Sequence, residues 1–445
     1  MGDYHRIADA VAAEIAAGRL RPGDRLPPQR RFARRHGIAT STAARVYGEL
    51  VRRGLAVGEV GRGTFVRAAA PPPEPALAEP GGARADLELN FAVLPEQPAL
   101  QARSLDRLLR TDVLAAALPP VGVAGTVAAR EAAVVALGHP GWQAEPRRVL
   151  FTGNGRQAVA AAVAALVPAG ERLGVEALTY PVVKGIAARL GVTLVPIATD
   201  ADGLEPDAVA AAHRAAPLRA VYCQPTLHNP LGTTMSADRR AALAEVLRAI
   251  DVPAVEDVIY AFLRDAPPPL AAFAPERTVL VDSLSKRLAP GLTLGFVVAP
   301  DDLVDRVAAA VRSGGWAAQR FALDAATCWV TDGTLATVEA AKRRDAAARQ
   351  ELARGRLRGF TVHADPAAYH LWWELPERWR AETFVASAAR RGIAISPGAA
   401  FAVGAGRAPA GVRLALSAPP VDTLAAALDV LAAIARGGPD DDPVD

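Results

Sequence analysis

Asp282-Ser283-Leu284-Ser285-Lys286, followed by Arg287-Leu288-Ala289-Pro290-Gly291-Leu292-Thr293-Leu294-Gly295, is the stretch from which the rest of the chain can be read. Thr278-Val279-Leu280-Val281 leads into it and Phe296-Val297-Val298-Ala299 leads out, each a short apolar run of the kind that forms a buried strand. A lysine between two buried strands is costly, because a desolvated ammonium must be paired or neutral. Schiff-base formation is the chemistry that wants a lysine there: the amine must lose its proton to attack an aldehyde, and burial favours the neutral form. Ser283 and Ser285 add hydroxyls suited to a phosphate held beside that amine. A surface loop is the commoner meaning of Ser-x-Ser-Lys by itself, so the flanking chain has to decide.

Working outward, short apolar runs alternate with alanine-rich helical stretches from about Arg130 onward. Val149-Leu150-Phe151, Arg172-Leu173-Gly174-Val175, Thr193-Leu194-Val195-Pro196, Ala220-Val221-Tyr222 and Ala254-Val255-Glu256 are such runs. The alternation predicts an α/β body with a mostly parallel sheet, in which ligands sit beyond the carboxyl ends of the strands.

The residues just after each strand therefore carry the chemistry. Phe151 is followed by Thr152-Gly153-Asn154-Gly155-Arg156, glycines opening a helix whose N–H groups can cradle a phosphate, although a plain tight turn reads the same way. Val175 is followed by Glu176-Ala177-Leu178-Thr179-Tyr180, where Tyr180 is either core or a ring that stacks on a flat ligand. Tyr222 is followed by Gln224-Pro225-Thr226-Leu227-His228-Asn229-Pro230-Leu231-Gly232, in which Asn229 can point an amide at a phenolate oxygen. Val255 is followed by Glu256-Asp257-Val258-Ile259-Tyr260; a buried Asp257 needs a cation, either a protonated pyridine nitrogen or a nearby arginine.

Asn-Pro-x-Gly, Asp-x-x-Tyr and Ser-x-Ser-Lys in this order resemble the pyridoxal 5'-phosphate site of the fold-type I aminotransferases. The resemblance implies that Lys286 forms the internal aldimine and that Asp257 pairs with the pyridine nitrogen, keeping the ring an electron sink. It implies that Asn229 and Tyr260 hydrogen-bond the ring oxygen and that Tyr180 stacks on the ring. Ser283, Ser285 and the turn Asn154-Gly155-Arg156 would hold the phosphate. Near the C-terminus, Gly411-Val412-Arg413-Leu414-Ala415 resembles the strand whose arginine grips a ligand carboxylate bidentately. Two positions depart from the pattern: Thr293 stands where these enzymes carry a phosphate-binding arginine, and Pro120 where a tyrosine usually reaches the partner's phosphate. Arg156 or Arg287 would have to compensate. No metal site is expected.

The N-terminal residues read differently. Ile7, Val11, Ile15 and Leu20 mark one helix, closed by Gly18; Leu26-Pro27-Pro28 is expected to open a second that stops at Gly37. Thr40-Ser41-Thr42 offers N-cap hydroxyls to a third, ending near Arg53-Gly54. Leu55-Ala56-Val57 and Thr64-Phe65-Val66 then form a hairpin, which completes a winged helix-turn-helix. Leu26-Pro27-Pro28-Gln29-Arg30, Thr42, Tyr47, Leu50, Arg53-Gly54 and Gly61-Arg62-Gly63-Thr64-Phe65-Val66 resemble the GntR group of regulators. That resemblance implies that Arg30, Thr40, Ser41, Thr42 and Arg45 face double-stranded DNA, the third helix entering the major groove, and that Arg62 on the wing contacts phosphate or minor groove.

Composition agrees with two unlike halves. The 445 residues are too many for one ordinary core. Residues 1–68 hold thirteen arginines against six acids while the whole chain is only +3, so a basic head precedes a mildly acidic body. A polyanion partner is expected for the head alone. Cys223 and Cys328 make no disulfide framework and suit a reducing compartment. The N-terminus has no apolar h-region, and no stretch reaches the ~18 uninterrupted apolar residues of a membrane span, so a cytoplasmic protein is expected. The expected boundaries are a winged helix over 1–67, a proline-rich linker over 68–86 and a body over 87–437. The body would comprise a large part (about 130–335) and a smaller α+β part (about 336–437), with an acidic tail over 438–445.

Head, tether and body together resemble the MocR-type regulators. The resemblance implies a head-to-tail homodimer and an amine or amino-acid effector, or pyridoxal phosphate itself, sensed by exchange at Lys286. Two other readings compete: a working aminotransferase with an accessory DNA-binding head, and a cofactor-free regulator on a relic fold. Retention of Lys286, Asp257, Asn229 and Tyr260 disfavours the second of these.

Overall fold

A computed structural model of the chain describes residues 3–17, 19–20, 24–53, 55–59, 63–66, 81–404 and 408–438. In the head, α1 (Asp3–Ala16), α2 (Gln29–His36) and α3 (Thr40–Arg52) close over a core of Ala8, Val11, Leu26, Phe32, Val46 and Leu50. Strands β1 (Ala56–Glu59) and β2 (Gly63–Val66) form the antiparallel wing, with Ala56 opposite Val66 and Glu59 opposite Gly63. Gly37 ends α2 in the left-handed region at φ 63°, a conformation that costs a side-chain-free residue little. Two expected helix starts are corrected. Pro28 is the N-cap of α2 rather than a first-turn residue, and α3 is preceded by Ala39, with no side-chain cap. The hydroxyls of Thr40 and Ser41 therefore stay on an exposed surface. Gly18, Gly54, Arg62, the proline-rich stretch 67–80 and the tail 439–445 lie outside the described residues.

The body starts earlier than its composition predicts. Strand β3 (Ala85–Asp86) pairs in parallel with a later strand, and the buried Ala85 donates its N–H to Gly392 O at 3.0 Å. Residues 85 and 86 thus belong to the body, not the linker: the Ala85 methyl is buried there, both backbones pair with the later strand, and the Asp86 carboxylate accepts from Glu88 N and Leu89 N.

Seven strands make the central sheet: β4 (Val149–Thr152), β5 (Arg172–Glu176), β6 (Thr193–Ile197), β7 (Ala220–Cys223), β8 (Ala254–Asp257), β9 (Thr278–Ser283) and β10 (Gly295–Val298). Their order is β4-β10-β9-β8-β7-β5-β6, and β10 alone among them runs against the rest. Apolar clusters pack both faces, and residues 97–129, unassigned by composition, contribute Leu108, Val123 and Ala129 to them. Helix α4 (Gly155–Leu166) follows β4 at the sheet's carboxyl edge.

Helix α5 (Thr334–Arg356) joins the two parts of the body: Leu335 and Val338 sit in the sheet's core and Ala353 in a second core. At ~1.5 Å per residue it is long enough to span both. The second core lies under β11 (Val362–His363), β12 (His370–Glu374), α6 (Ala381–Arg390), β13 (Ile393–Ala394), β14 (Ser396–Pro397), β15 (Gly411–Ala415) and α7 (Val421–Arg436). Its antiparallel sheet runs β11-β12-β15-β14, and β13 is the partner of β3. Among the described residues no helix is long and apolar enough to cross a membrane.

Candidate functional site

All ten residues singled out for cofactor binding line one cavity of about 480 Å³ at the carboxyl end of the central sheet. Strand β9 delivers Ser283, Ser285 and Lys286, the last within the single helical turn Leu284–Arg287. Ser283 caps that turn by accepting from the Ser285 N–H at 3.2 Å. Lys342 of α5, fully buried, anchors its other end by donating to the carbonyls of Lys286, at 2.9 Å, and Leu288. The Lys286 Nζ donates to the Asn90 carbonyl at 2.6 Å and lies 3.4 Å from the centre of the Phe91 ring. Burial first, then the charges of Arg413, Arg156 and Lys342, push this amine well below its ordinary pKa; Asp257 opposes them. The shift favours the neutral, nucleophilic form of the amine.

Asp257 ends β8 and is 5% exposed. It accepts from Tyr222 Oη at 2.8 Å, Gln224 Nε2 at 3.0 Å and Ile259 N at 3.1 Å. Burial raises its carboxyl above the usual range, and these donors pull it back. Among the described residues no arginine or lysine pairs with it, which removes the structural salt bridge as its explanation. Asn229 presents a buried side-chain oxygen without a partner, and Tyr260 Oη accepts from Asn90 Nδ2 at 3.0 Å. A buried carboxylate without a cation, an amine without an anion and an orphaned amide fit a flat ring that brings a protonated nitrogen, an aldehyde and an oxygen.

The phosphate end is built from α4 and the turn before it. Asn154 is the N-cap, its side-chain oxygen accepting from Gln157 N at 3.0 Å. Gly155 and Arg156, in the first turn, have N–H groups without partners inside the helix, as an anion requires. A side chain at residue 155 would meet Ser283 Oγ at 2.8 Å, which is why glycine stands there. Arg156 is exposed at the cavity wall, beside Tyr180. Thr293 is bonded to Ser285, Oγ to Oγ1, at 2.7 Å. Arg287, considered above as a replacement cation, is committed elsewhere: it binds Asp282 at 2.7 and 2.9 Å and Glu339 at 2.5 Å, and is buried. It has no guanidinium face left for a phosphate.

Arg413, in the middle of β15, reaches an adjoining cavity lined also by Lys286, Arg156 and Tyr180. It donates to the Glu88 carbonyl at 2.6 Å and to Ser396 Oγ at 2.8 Å, and its Nε is buried without a partner. Pattern reading missed the segment that follows β3. Glu88, Asn90 and Phe91 cross between Arg413 and Lys286, and Asn90 Oδ1 accepts from Ser417 Oγ at 3.0 Å. Nothing in its local pattern distinguishes it. Tyr222 and Gln224 were equally unassigned, though a polar residue ending a buried strand is a usable signal.

In the head, Arg30, Thr40, Ser41 and Arg45 are exposed and Thr42 is half-buried. Arg45 lies over the Tyr4 ring at 4.2 Å.

Residues 3–66 match the GntR family of bacterial regulatory proteins and residues 121–431 match the family aminotransferase class I and II. The HTH-type transcriptional regulator TauR of Rhodobacter capsulatus is 30% identical over 339 residues, 68% of this chain and 69% of that protein. The vitamin B6 salvage pathway transcriptional repressor PtsJ of Salmonella typhimurium is 27% identical over 422 residues, 93% of this chain and 94% of that one. An archaeal alanine:glyoxylate aminotransferase of known structure shares the body's fold, with a TM-score of 0.72 at 20% identity over 79% of this chain and 90% of its own.

Proposed function

This chain belongs to the aminotransferase class I and II family and carries a GntR-family head, the MocR-type arrangement, and from that premise we propose that it is a transcriptional regulator that binds double-stranded DNA through the head and senses an amine, an amino acid or pyridoxal phosphate at Lys286. The observation that carries the reading is the pair of unneutralised buried groups, Asp257 and Lys286, facing one cavity. Pyridoxal phosphate, when bound, supplies an aldehyde that an amine can capture and a ring that draws electrons toward its nitrogen. Asp257 would hold a proton on that nitrogen, Asn229 and Tyr260 would orient the ring oxygen, and Tyr180 would cover the ring face. The first turn of α4, Arg156, Ser283 and Ser285 would bind the phosphate. Arg413 would select ligands with a carboxylate, which would displace the Glu88 carbonyl from it. A vitamin B6 role in the name of PtsJ supports the same cofactor class.

The exposed side chains of Leu109, Leu118, Val127 and Val135, all in the stretch before β4, support a homodimer in which a second copy covers them, the head-to-tail pairing expected above. Such a regulator acts in a bacterial cytoplasm, on the nucleoid.

The test is the absorption spectrum of the protein with pyridoxal phosphate, wild type against Lys286→Ala, together with DNA mobility shifts as amino acids are added. A visible band that needs Lys286 and shifts with the ligand that alters DNA binding is expected. No lysine-dependent band would sink the sensing reading, and sustained keto-acid formation would favour an enzyme.

A further inference from the structure

Lys184, Lys286 and Lys342 are the three lysines in a chain with 50 basic residues, and the others are arginines. Lysine in so biased a chain marks places that want what a guanidinium lacks, a compact charge whose proton can leave. The three converge. Lys184 and Lys286 line the cavity that Arg413 reaches. Lys342 lines neither cavity of the site, yet its Nζ bonds the carbonyl of Lys286 itself, at 2.9 Å.

Lys342 is fully buried in α5. The carbonyls it holds, of Lys286 and Leu288, end the single turn Leu284–Arg287 and have no acceptor role within it. The carboxylates near Lys342 are spent elsewhere, Glu339 on Arg287 and Asp345 on Arg349 and Tyr369. An ammonium buried against neutral partners is costly, and a hydrocarbon side chain of the same length would fill the space without that cost. Packing alone gives no reason for a lysine here.

The two amines are not equivalent. Lys286 faces Arg413, Arg156 and Lys342, with Asp257 opposing them, and Tyr260 and His370 complete its neighbours. Lys342 faces Glu339 and Asp345, to which Arg287 and Tyr369 are bonded. Burial pulls both amines down, Lys342 to about 7, where its two carboxylates hold it up; the cations around Lys286 push that amine further. Lys286 therefore loses its proton first.

We propose that Lys342 is a positioning residue for Lys286: its ammonium caps the turn that carries that amine, and its charge makes a second ammonium beside it unfavourable. One lysine keeps a proton so that the other gives its own up. The free amine attacks an aldehyde carbon, the C–N bond forms, and the aldehyde oxygen leaves as water with the two amine protons. Lys342 touches none of the reacting atoms. The proposal rests on the reading of Lys286 as the amine that captures an aldehyde, but not on which aldehyde it captures.

The test is reductive methylation of the full-length protein with formaldehyde and a borane reductant across a range of pH, read lysine by lysine by mass spectrometry. Wild type is compared with Lys342→Gln and Lys342→Met, and Lys184 in the same sample cancels the reagent's own pH dependence. Without the charge at 342 an ammonium at Lys286 is less disfavoured, so in both variants the midpoint for Lys286 methylation should rise by about one pH unit. Glutamine keeps a donor for the turn and should leave the limiting rate at high pH near that of wild type. Methionine keeps none, and the limiting rate should fall about tenfold as the amine loses its aim. An unchanged or lowered midpoint overturns the proposal, and Lys342→Gln decides this even if Lys342→Met does not fold. Equal limiting rates in the two variants overturn the cap. Should wild type show the expected methylation profile but no lysine-dependent band with pyridoxal phosphate, the sensing reading fails and the role of Lys342 stands.

Discussion

Two regions of this molecule treat buried charge in opposite ways. Under the head, Arg53 and Arg380 meet Asp9, and Arg52 and Arg53 meet Glu49, so every guanidinium in the contact has a carboxylate. In the cavity, Lys286 and Arg413 meet the backbone carbonyls of Asn90 and Glu88, and Asp257 meets a phenol, an amide and a backbone N–H. A carboxylate partner makes a charge part of the scaffold, because removing it strands its mate in a low dielectric. A neutral partner leaves the charge available, since an incoming anion or carbonyl can replace it at smaller cost. Arg287 shows that the distinction holds residue by residue: it adjoins Lys286, yet Asp282 and Glu339 make it scaffold.

The comparison breaks first if Arg287 is not scaffold. Arg287→Ala leaves Asp282 buried without its cation and should cost about 3–5 kcal/mol in urea unfolding, whether or not pyridoxal phosphate is present. A change confined to cofactor affinity would move Arg287 into the ligand set. Arg413→Gln should do the reverse. It should weaken a carboxylate-bearing amine by about 10–100-fold in spectral titrations, leave the corresponding decarboxylated amine unaffected, and destabilise the fold less than Arg287→Ala does. Equal losses for both amines would mean that Arg413 does not read a carboxylate.

The smallest effect sharpens the comparison at its edge. Arg156 is exposed, so Arg156→Gln should weaken the cofactor only a few-fold. Its positive charge also helps to hold the Lys286 amine below its ordinary pKa. Without that charge the ammonium is less disfavoured and its pKa rises, so capture of pyridoxal phosphate should shift to higher pH. A shift to lower pH would contradict the assignment, and Thr293→Arg should restore affinity if phosphate charge is what was lost.

Legibility followed distance along the chain. The seven strands of the central sheet and the residues at their ends were readable because period, turn chemistry and short spacing are local. The helix starts at Pro28 and Ala39 were misread because a proline or a hydroxyl is compatible with several cap positions, and the choice depends on how α2 and α3 pack. The linker boundary was misread for a related reason: Ala85 and Asp86 look like linker until β13 offers them a partner. Arg287 looked available because Glu339, its second carboxylate, lies on α5, and nothing near Arg287 points to it.

What the amino-acid order determined by itself is the division into a basic head and an α/β body, and the identity of the groups at the strand ends, since each is encoded within a dozen residues. The tertiary structure decided which of those groups are paired. Asn90 reaches Lys286 across 196 residues, Glu88 reaches Arg413 across 325 and Arg380 reaches Asp9 across 371. Whether a buried charge is used or locked depends on such partners, and no local pattern encodes them because the energy that selects them is desolvation, which exists only once the chain has closed around the site.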